Sequence, residues 1–189
     1  MNDKRVIMTE QDIAAAVKRL AKEIMEVNSG IENLAIVGIQ TRGIPLGKRI
    51  IAELLKLDRS SEEVPFGILD ITLYRDDVDT MSTVPLVKET DIPFDISGKN
   101  IVIVDDVVFT GRSVRAAIDE LIDFGRPKKI QLAVLVDRGH RELPIEPNFV
   151  GKRVDTKRDE VVKVELEETD GQDQVVLRKA VKSSRSKDL

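Results

Sequence analysis

The run Val102-Ile103-Val104-Asp105-Asp106-Val107-Val108-Phe109-Thr110-Gly111-Arg112-Ser113 joins an apolar segment to two acids, a short turn and a helix start. Its first part belongs to residues 100–104 (NIVIV), and such a continuous apolar run predicts a strand buried on both faces. A helix is predicted over about 112–124, with Gly125 suited to its C-terminal cap. A buried strand that leads into a helix is typical of an α/β protein with a mostly parallel sheet.

Two more apolar runs repeat this pattern on either side. Residues 34–39 (LAIVGI) and 130–136 (IQLAVLV) predict two further buried strands. A helix is predicted over 10–27 from apolar residues at helical spacing, after a capping box formed by Thr9 and Asp12. Another helix is predicted after Pro45, which suits a first helical turn. Strands that alternate with helices predict a mostly parallel, doubly wound sheet.

The remaining segments complete one domain over residues 1–178. A strand is predicted over 66–74, and a long loop over 75–98, where no periodic pattern is sustained. Residues 161–167 and 174–177 predict an antiparallel hairpin that turns at Asp170-Gly171. The basic end, 179–189, is predicted to be a polar tail.

Composition excludes several classes of site. The chain has 189 residues, no cysteine and a single histidine, His140, so disulfides, thiolate metal sites and histidine zinc sites are excluded. Aromatic residues are only 3%, which predicts an aliphatic core. No apolar run reaches the roughly 20 residues that a membrane helix needs, and no signal peptide is evident. We therefore expect a cytoplasmic protein that does not contact membranes.

Polar residues follow all three buried strands where each strand ends. They are Gln40-Thr41-Arg42, Asp105-Asp106 and Asp137-Arg138. Parallel sheets bind ligands beyond the carboxyl ends of their strands. We therefore expect a binding site at this edge of the sheet.

The acids and the turn after the middle strand suit a sugar phosphate. Two adjacent carboxylates cannot both face an apolar core without a large cost, and they can accept hydrogen bonds from ribose hydroxyls. The helix start offers free N–H groups to a phosphate, Gly111 allows close approach, and Thr110 and Ser113 add hydroxyls. The alternative is that the acids merely begin a loop and Thr110 caps the helix.

The same segment resembles the motif by which type I phosphoribosyltransferases bind 5-phosphoribosyl-1-pyrophosphate (PRPP). Three other strings resemble the PyrR family of bifunctional pyrimidine-operon attenuation regulators and uracil phosphoribosyltransferases. They correspond to its pyrophosphate loop, the start of its flexible loop and its base-recognition hood: 37–43 (VGIQTRG), 70–77 (DITLYRDD) and 136–145 (VDRGHRELPI). This chain departs from the family pattern at Gln40, Phe109 and Ser113, where Lys, Tyr and Thr are usual.

The resemblance implies a reaction of uracil with PRPP that gives uridine monophosphate (UMP) and pyrophosphate, with Mg²⁺ as cofactor. The implied catalytic residues are Arg42, Asp105 and Asp106, and Mg²⁺ is expected to bind through PRPP, with the two acids as candidate ligands. The implied PRPP-binding residues are Thr41, Arg42, Gly43, Asp105, Asp106, Val107, Val108, Phe109, Thr110, Gly111, Arg112 and Ser113.

Other positions follow from the same resemblance. A hood over 137–160, with the N-terminal segment, is expected to place Asp137, Arg138 and Gly139 in a base pocket, and Arg75, Asp76 and Asp77 open the flexible loop. Pyrophosphate loops of this family can hold a non-proline cis peptide, here expected near Thr41-Arg42. His140 is a candidate proton-transfer group, although a lone histidine is more often structural.

A second implied function is regulatory: binding of pyrimidine-operon leader mRNA, with UMP as co-regulator. The candidate RNA-binding residues are Lys18, Arg19, Lys22, Arg141 and Lys152. The net charge of −4 argues against indiscriminate nucleic-acid binding, but a local basic patch suffices for phosphate contacts. We expect Arg19→Ala to weaken RNA binding. The open alternatives are a solvated helix face, a phosphoribosyltransferase for another base and a nucleotide sensor without turnover. A homo-oligomer, a dimer or larger, is also implied.

Overall fold

The structure is a computed structural model that describes residues 4–58, 63–71 and 90–179. Strands and helices alternate through most of the chain, as predicted. In chain order they are β1 (Arg5–Met8), α1 (Glu10–Asn28), β2 (Leu34–Ile39), α2 (Gly43–Leu57), β3 (Phe66–Leu69), β4 (Asn100–Val108), α3 (Arg112–Asp123), β5 (Lys129–Asp137), β6 (Phe149–Arg153), β7 (Glu160–Glu165), α4 (Glu167–Asp170) and β8 (Gln174–Lys179).

The main sheet has five parallel strands in the order β3-β2-β4-β5-β6. Helices α1 and α2 pack on one face of it and α3 packs on the other, so the predicted doubly wound α/β fold is confirmed. The chain runs from β2 to β3 in one direction and then returns across β2 to β4. In such sheets this switch point opens the crevice in which ligands bind.

Both faces of the sheet carry an aliphatic core. Along β4, Val102 and Val104 belong to the core cluster under α1 and α2, while Ile101 and Ile103 belong to the cluster under α3. This alternation follows from the two-residue period of a strand. Full burial of one such side chain contributes about 1.5–3 kcal/mol, so both clusters hold β4 firmly. The strand is therefore a rigid support for the residues at its end.

The capping box predicted at the start of α1 is confirmed. The Thr9 N–H donates to Asp12 Oδ2 over 2.8 Å, and the Asp12 N–H donates to Thr9 Oγ1 over 3.3 Å. Two N–H groups at the helix start thereby gain partners. The bond from the Thr9 N–H, together with a bond from the Thr9 hydroxyl to Asp12 Oδ2, also lowers the pKa of the Asp12 carboxyl group.

Strand β4 is longer than predicted. The apolar run ends at Val104, and we expected Asp105 and Asp106 to leave the sheet, but the strand continues to Val108. That expectation was wrong because β5 continues alongside, with Asp105 opposite Val134 and Val108 opposite Asp137. Pairing with a neighbour keeps a strand extended even where its own sequence turns polar.

Strand β3 is shorter than the predicted 66–74. It ends at Leu69, which lies opposite the last residue of β2, Ile39, so no partner strand continues beyond it. The Asp70 N–H instead donates to Thr90 Oγ1 over 3.0 Å. Residues 72–74 lie outside the described part of the chain.

A second, antiparallel sheet has the strand order β1-β8-β7. It contains the predicted hairpin, β7 and β8, which is confirmed, and the four-residue strand β1, which was not predicted. Strand β6 was also missed, and it places part of the expected hood, 137–160, at the edge of the main sheet. Such short strands depend on partners that are distant in sequence, so local patterns do not reveal them.

In the described part of the chain, no helix has both the length and the apolar character needed to cross a membrane.

Candidate functional site

A cavity of about 520 Å³ lies at the switch point of the main sheet. Its floor is formed by the ends of β2 and β4 and the start of α3, and β7 of the second sheet covers it. The lining residues are Ile39, Gln40, Thr41, Arg42, Ile71, Asp105, Asp106, Val107, Val108, Phe109, Thr110, Gly111, Arg112, Ser113, Val114, Arg138, Glu142, Val162, Lys163 and Val164. The cavity thus brings together most residues of the predicted PRPP-binding set.

The two acids lie in the last part of β4 and border the cavity. Asp105 is nearly buried, with 8% of its surface exposed, and its Oδ1 accepts the N–H of Asp106 over 2.8 Å. Oδ1 of Asp106 in turn accepts the N–H of Val107 over 2.9 Å. A buried carboxylate needs such partners to offset the loss of water. These bonds fix the orientation of both side chains relative to the strand.

The turn after β4 leads into the N-terminus of α3. Gly111 is the N-cap and has a φ of 93°, a left-handed conformation that side chains other than glycine rarely adopt. Thr110 Oγ1 accepts the N–H of Arg112 over 3.3 Å. Because the first N–H groups of a helix lack partners within it, this end of α3 suits a phosphate. Ser113 also borders the cavity.

The turn after β2 forms another part of the cavity lining. The Gln40–Thr41 peptide is cis, one bond before the expected position. Thr41 and Arg42 border the cavity, and Gly43 begins α2 against the end of β4. A Cβ atom at Gly43 would meet the carbonyl oxygen of Val104 at 2.2 Å. Only glycine therefore lets the start of α2 approach strand β4 this closely.

Arg42 forms an ion pair with a residue that sequence reasoning did not select. Its Nε and Nη2 donate to Oδ2 and Oδ1 of Asp170 over 3.1 and 2.8 Å. Hydrogen bonding to Asp170 raises the pKa of Arg42, and the same bonds hold the pKa of Asp170 well below its usual value. Asp170 had been predicted only as part of a hairpin turn, because nothing in its local sequence indicates the contact.

A second cavity of about 300 Å³ contains the residues predicted for base recognition, Asp137, Arg138 and Gly139. The guanidinium of Arg138 lies over the ring of Phe109 at 4.0 Å. Burial lowers the pKa of Arg138. Arg138 borders both cavities, so the two lie next to each other.

His140 also borders the second cavity. Its Nε2 lies 2.6 Å from the carbonyl oxygen of Thr156. Its ring meets the ring of Phe109 edge to face, with 5.7 Å between the centroids. These contacts hold the imidazole between two loops.

Arg141 faces the inside of the protein rather than a basic surface. Its side chain is 13% exposed. Its guanidinium donates to Oδ1 of Asp137 over 2.7 Å and to the carbonyl oxygens of Phe109 and Ile145, each over 2.9 Å. It thereby joins the turn after β4 to the segment after β5. The structure does not bring it together with the predicted RNA-binding residues of α1.

The other predicted RNA-binding residues lie where α1 meets β6 and β1. Arg19 donates to Glu23 and to the carbonyl oxygens of Val150 and Gly151 on β6. Lys152 donates to the carbonyl oxygen of Ile7 on β1 over 2.8 Å. Lys18 and Lys22 are exposed on α1, and Lys22 lies 3.8 Å from Glu26. The structure thus places Lys18, Arg19, Lys22 and Lys152 in one region.

Several cavity residues were not predicted from the sequence. Val162, Lys163 and Val164 come from β7, and Glu142 comes from the segment after β5. The Glu142 N–H donates to the carbonyl oxygen of Thr110, and this bond holds the segment after β5 against the turn after β4. Only contacts between distant parts of the chain reveal these residues. Arg75, Asp76 and Asp77, predicted to open a flexible loop, lie outside the described residues.

Within the described ranges, no group of three or more His, Asp or Glu side chains could hold a metal ion. The two carboxylates of Asp105 and Asp106 are the acidic side chains at the end of β4. They fit a Mg²⁺ ion that keeps most of its ligands from water and substrate, because such ions need only one or two protein carboxylates.

Glu165, the last residue of β7, is expected to make the stability of the fold depend on pH in the acid range. Hydrogen bonds from Lys163 and Gln174 lower its pKa from 4.5 to about 2. A carboxylate with a lowered pKa stabilises the fold above its unfolded-state pKa and ceases to do so as pH falls through the folded value. We expect wild type to lose this contribution between about pH 4.5 and 2, and Glu165→Gln to lack it already at pH 7. Urea unfolding followed from pH 7 to pH 2 measures this; an equal pH dependence in both proteins would contradict it.

Comparison with known proteins identifies close relatives. The family model described as "Phosphoribosyl transferase domain" matches residues 7–169. A protein of Thermus aquaticus named "Bifunctional protein PyrR" is 57% identical over 177 residues, which are 94% of this chain and 97% of that protein. Proteins of the same name from Deinococcus radiodurans and Acetivibrio thermocellus are 55% and 57% identical over 92% and 90% of this chain, and over 94% and 92% of their own lengths.

Solved structures with lower identity share the fold. The hypoxanthine phosphoribosyltransferase of Trypanosoma cruzi has a TM-score of 0.69 at 17% identity, over 94% of this chain and 97% of its own. A hypoxanthine-guanine phosphoribosyltransferase of Bacillus anthracis has a TM-score of 0.67 at 19% identity, over 93% and 97%. At these identities the likeness concerns the fold alone.

Proposed function

The chain belongs to the phosphoribosyltransferase family and, within it, to the family of bifunctional PyrR proteins, and on this premise we propose that it converts uracil and PRPP to UMP and pyrophosphate. One observation carries the proposal: two fixed carboxylates, the N-terminus of α3 and the Arg42 turn all line the switch-point cavity. That arrangement suits a ribose that carries a phosphate at one end and a pyrophosphate at the other.

In this proposal the end of β4 holds the sugar phosphate. Asp105 and Asp106 accept hydrogen bonds from the ribose hydroxyls. The N–H groups at the start of α3, with the hydroxyls of Thr110 and Ser113, bind the 5-phosphate. The anomeric carbon is then fixed between the two turns, and two carboxylates nearby favour the positive charge that develops on the ring during glycosyl transfer.

The pyrophosphate lies at the turn after β2. As the anomeric carbon–oxygen bond breaks, its electron pair stays on the departing oxygen, and Arg42 stabilises that charge. Backbone groups of Thr41 and Gly43 add contacts. Mg²⁺, bound through PRPP with Asp105 or Asp106 as protein ligands, would supply further positive charge to the pyrophosphate. Gln40, where the family usually has Lys, leaves this turn with one cation fewer.

Uracil occupies the second cavity. Backbone groups near Asp137, Arg138 and Gly139 would read its carbonyl and N–H edge. Its ring nitrogen forms the new bond to the anomeric carbon, and the proton of that nitrogen passes to solvent. The contact of His140 with Thr156 supports a positioning role for His140 rather than proton transfer. Arg75, Asp76 and Asp77 remain our candidates for a loop that excludes water from the reacting centre.

The decisive measurement is base-dependent release of pyrophosphate from PRPP. Uracil, orotate and hypoxanthine are compared with the same protein and Mg²⁺, and only uracil is expected to support release. Release with another base alone would assign a different phosphoribosyltransferase. PRPP or UMP binding without release for any base would leave a nucleotide sensor.

Membership of this family also supports a regulatory function, and we propose that the chain binds pyrimidine-operon leader mRNA with UMP as co-regulator. The surface in question, the α1 patch, consists of Lys18, Arg19, Lys22 and Lys152. The side chains of Arg19 and Lys152 already donate to backbone carbonyl oxygens. Lys18 and Lys22 are therefore the cations more available to an RNA phosphate. Arg141 remains a candidate for RNA binding, with an indirect role: it holds the turn after β4 and the segment after β5 in place. A homo-oligomer in the cytoplasm is part of the same proposal.

The two exposed lysines of the α1 patch are expected to contribute to RNA binding. We expect Lys18→Ala with Lys22→Ala to weaken leader-RNA binding in the presence of UMP and to reduce the slope of log affinity against log salt by about one to two, since each phosphate contact contributes roughly 0.7–0.9. Gel shifts at several salt concentrations measure this, and uracil transfer should stay unchanged. Lys56→Ala, an exposed lysine on α2, is the control. RNA binding equal to wild type in the double variant would exclude the patch.

A further inference from the structure

Arg42, which borders the switch-point cavity, meets Asp170 although 128 positions separate them. Both are largely buried, with side chains 28% and 16% exposed. Two parallel hydrogen bonds join them, from Nε and Nη2 of the arginine to the two carboxylate oxygens. Such a two-point pair restricts rotation of the guanidinium as well as its position.

Asp170 is itself held in place. Its Oδ2 accepts the N–H of Leu166 over 3.0 Å and the hydroxyl of Thr169 over 2.6 Å. The carboxylate is therefore oriented by α4 independently of Arg42. Because the pKa of Asp170 is held well below its usual value, chiefly by hydrogen bonding to Arg42, the carboxylate stays charged at neutral pH.

The pair leaves part of the guanidinium available. Arginine has five N–H donors, and the bonds to Asp170 engage those on its Nε and Nη2 edge. Within residues 4–58, 63–71 and 90–179, Nη1 has no hydrogen-bond partner, and Arg42 borders the cavity. An arginine fixed along one edge can present its remaining donors to an anion at little further entropic cost.

We propose that Asp170 is a positioning residue for pyrophosphate recognition: it holds the guanidinium of Arg42 in the orientation that its free donors need to bind the pyrophosphate of PRPP. This inference rests on the proposed phosphoribosyl transfer and extends it to the connection between β7 and β8. That connection would thus help to form the binding site through Arg42, although Asp170 touches no substrate.

A neighbouring contact provides a matched control. Arg49, further along α2, donates to Glu168 and Asp173 of the same connection, over 2.8 Å from Nε to Glu168 and 2.8 Å from Nη2 to Asp173. Arg49 also anchors the connection to α2, but it does not line the switch-point cavity. If Asp170 only anchors the connection between β7 and β8 to α2, substitutions at Asp170 and at Asp173 should therefore change ligand binding equally.

The test compares two ligands that share the ribose 5-phosphate and differ in the pyrophosphate. Calorimetric titration of the full chain with PRPP and with UMP, each with Mg²⁺, is done for wild type, Asp170→Asn and Asp173→Asn. The amide has a single acceptor oxygen and no charge, so it cannot form the two-point ion pair with Arg42. We expect Asp170→Asn to bind PRPP roughly tenfold more weakly, as for loss of one charge-assisted contact, and UMP within about twofold of wild type.

Asp173→Asn should bind both ligands as wild type does, and both variants should unfold at similar temperatures. Equal weakening for PRPP and UMP, or equal effects of the two substitutions, would reduce Asp170 to a structural anchor and overturn the inference. Tighter PRPP binding by Asp170→Asn would show that Asp170 competes for Arg42, and would overturn it too. A wild-type chain that binds neither ligand would instead refute the proposed function, and the inference with it.

Discussion

Replacement of Asp105 and Asp106 together by Asn is expected to lower uracil-dependent pyrophosphate release by about a thousandfold or more, since loss of one preorganised charge contact costs roughly a hundredfold to a thousandfold. Both carboxylates border the cavity at the end of β4. Asn keeps the size of each side chain but removes the negative charge that favours a cation-like ribose. It also offers a weaker acceptor to the ribose hydroxyls.

A loss of activity in this variant must be distinguished from a loss of stability. Because Asp105 is nearly buried within β4, we expect a change in stability, but a small one, since the Oδ1 atom of Asn can still accept the N–H of Asp106. Thermal unfolding measures that change. Asp119→Asn with Asp123→Asn, two exposed acids on α3, is the matched control and should react at the wild-type rate. Wild-type turnover in the Asp105 and Asp106 variant would remove the acids from the mechanism.

Gly43→Ala is expected to abolish PRPP binding and to destabilise the fold by about 3 kcal/mol or more, as overpacking against rigid backbone does. The added Cβ would lie 2.2 Å from the carbonyl oxygen of Val104. That oxygen belongs to the central strand β4 and cannot move without disturbing the sheet. The turn after β2 must therefore shift away from β4, which displaces Thr41 and Arg42 from their places in the cavity lining.

Denaturant unfolding and PRPP titration together check this prediction. Gly98→Ala is the control, because its φ is 73° and nothing lies within 4 Å of the added Cβ, so only backbone strain is introduced. We expect that control to lose about 1 kcal/mol and to keep PRPP binding. Unchanged stability and affinity in Gly43→Ala would mean that the start of α2 need not approach β4 as closely as the structure has it.

Much of the site could be predicted because its residues are close in sequence. The acids, the Thr-Gly turn and the start of α3 lie within one short segment, and their chemistry can be inferred from neighbouring residues. The apolar runs before each polar group are also local, so the parallel sheet was predicted correctly, and a cavity lies at the sheet edge where the site is expected. The end of β4 was placed too early because pairing with β5, and not local composition, keeps Asp105 and Asp106 in the strand.

Tertiary structure settles which distant residues complete the cavity. Lys163 comes from β7 and lines the cavity, whereas Asp170 comes from α4 and reaches the cavity only through Arg42, so their roles depend on how β7, α4 and the start of α2 meet. Arg141 was predicted on a basic surface, whereas packing directs it between Asp137 and Phe109. Periodicity and turn residues are properties of adjacent positions, so the chain alone encodes the α/β layers and the sugar-phosphate segment. Ion pairs across more than a hundred positions depend on the folded sheet, and only the fold can assign them.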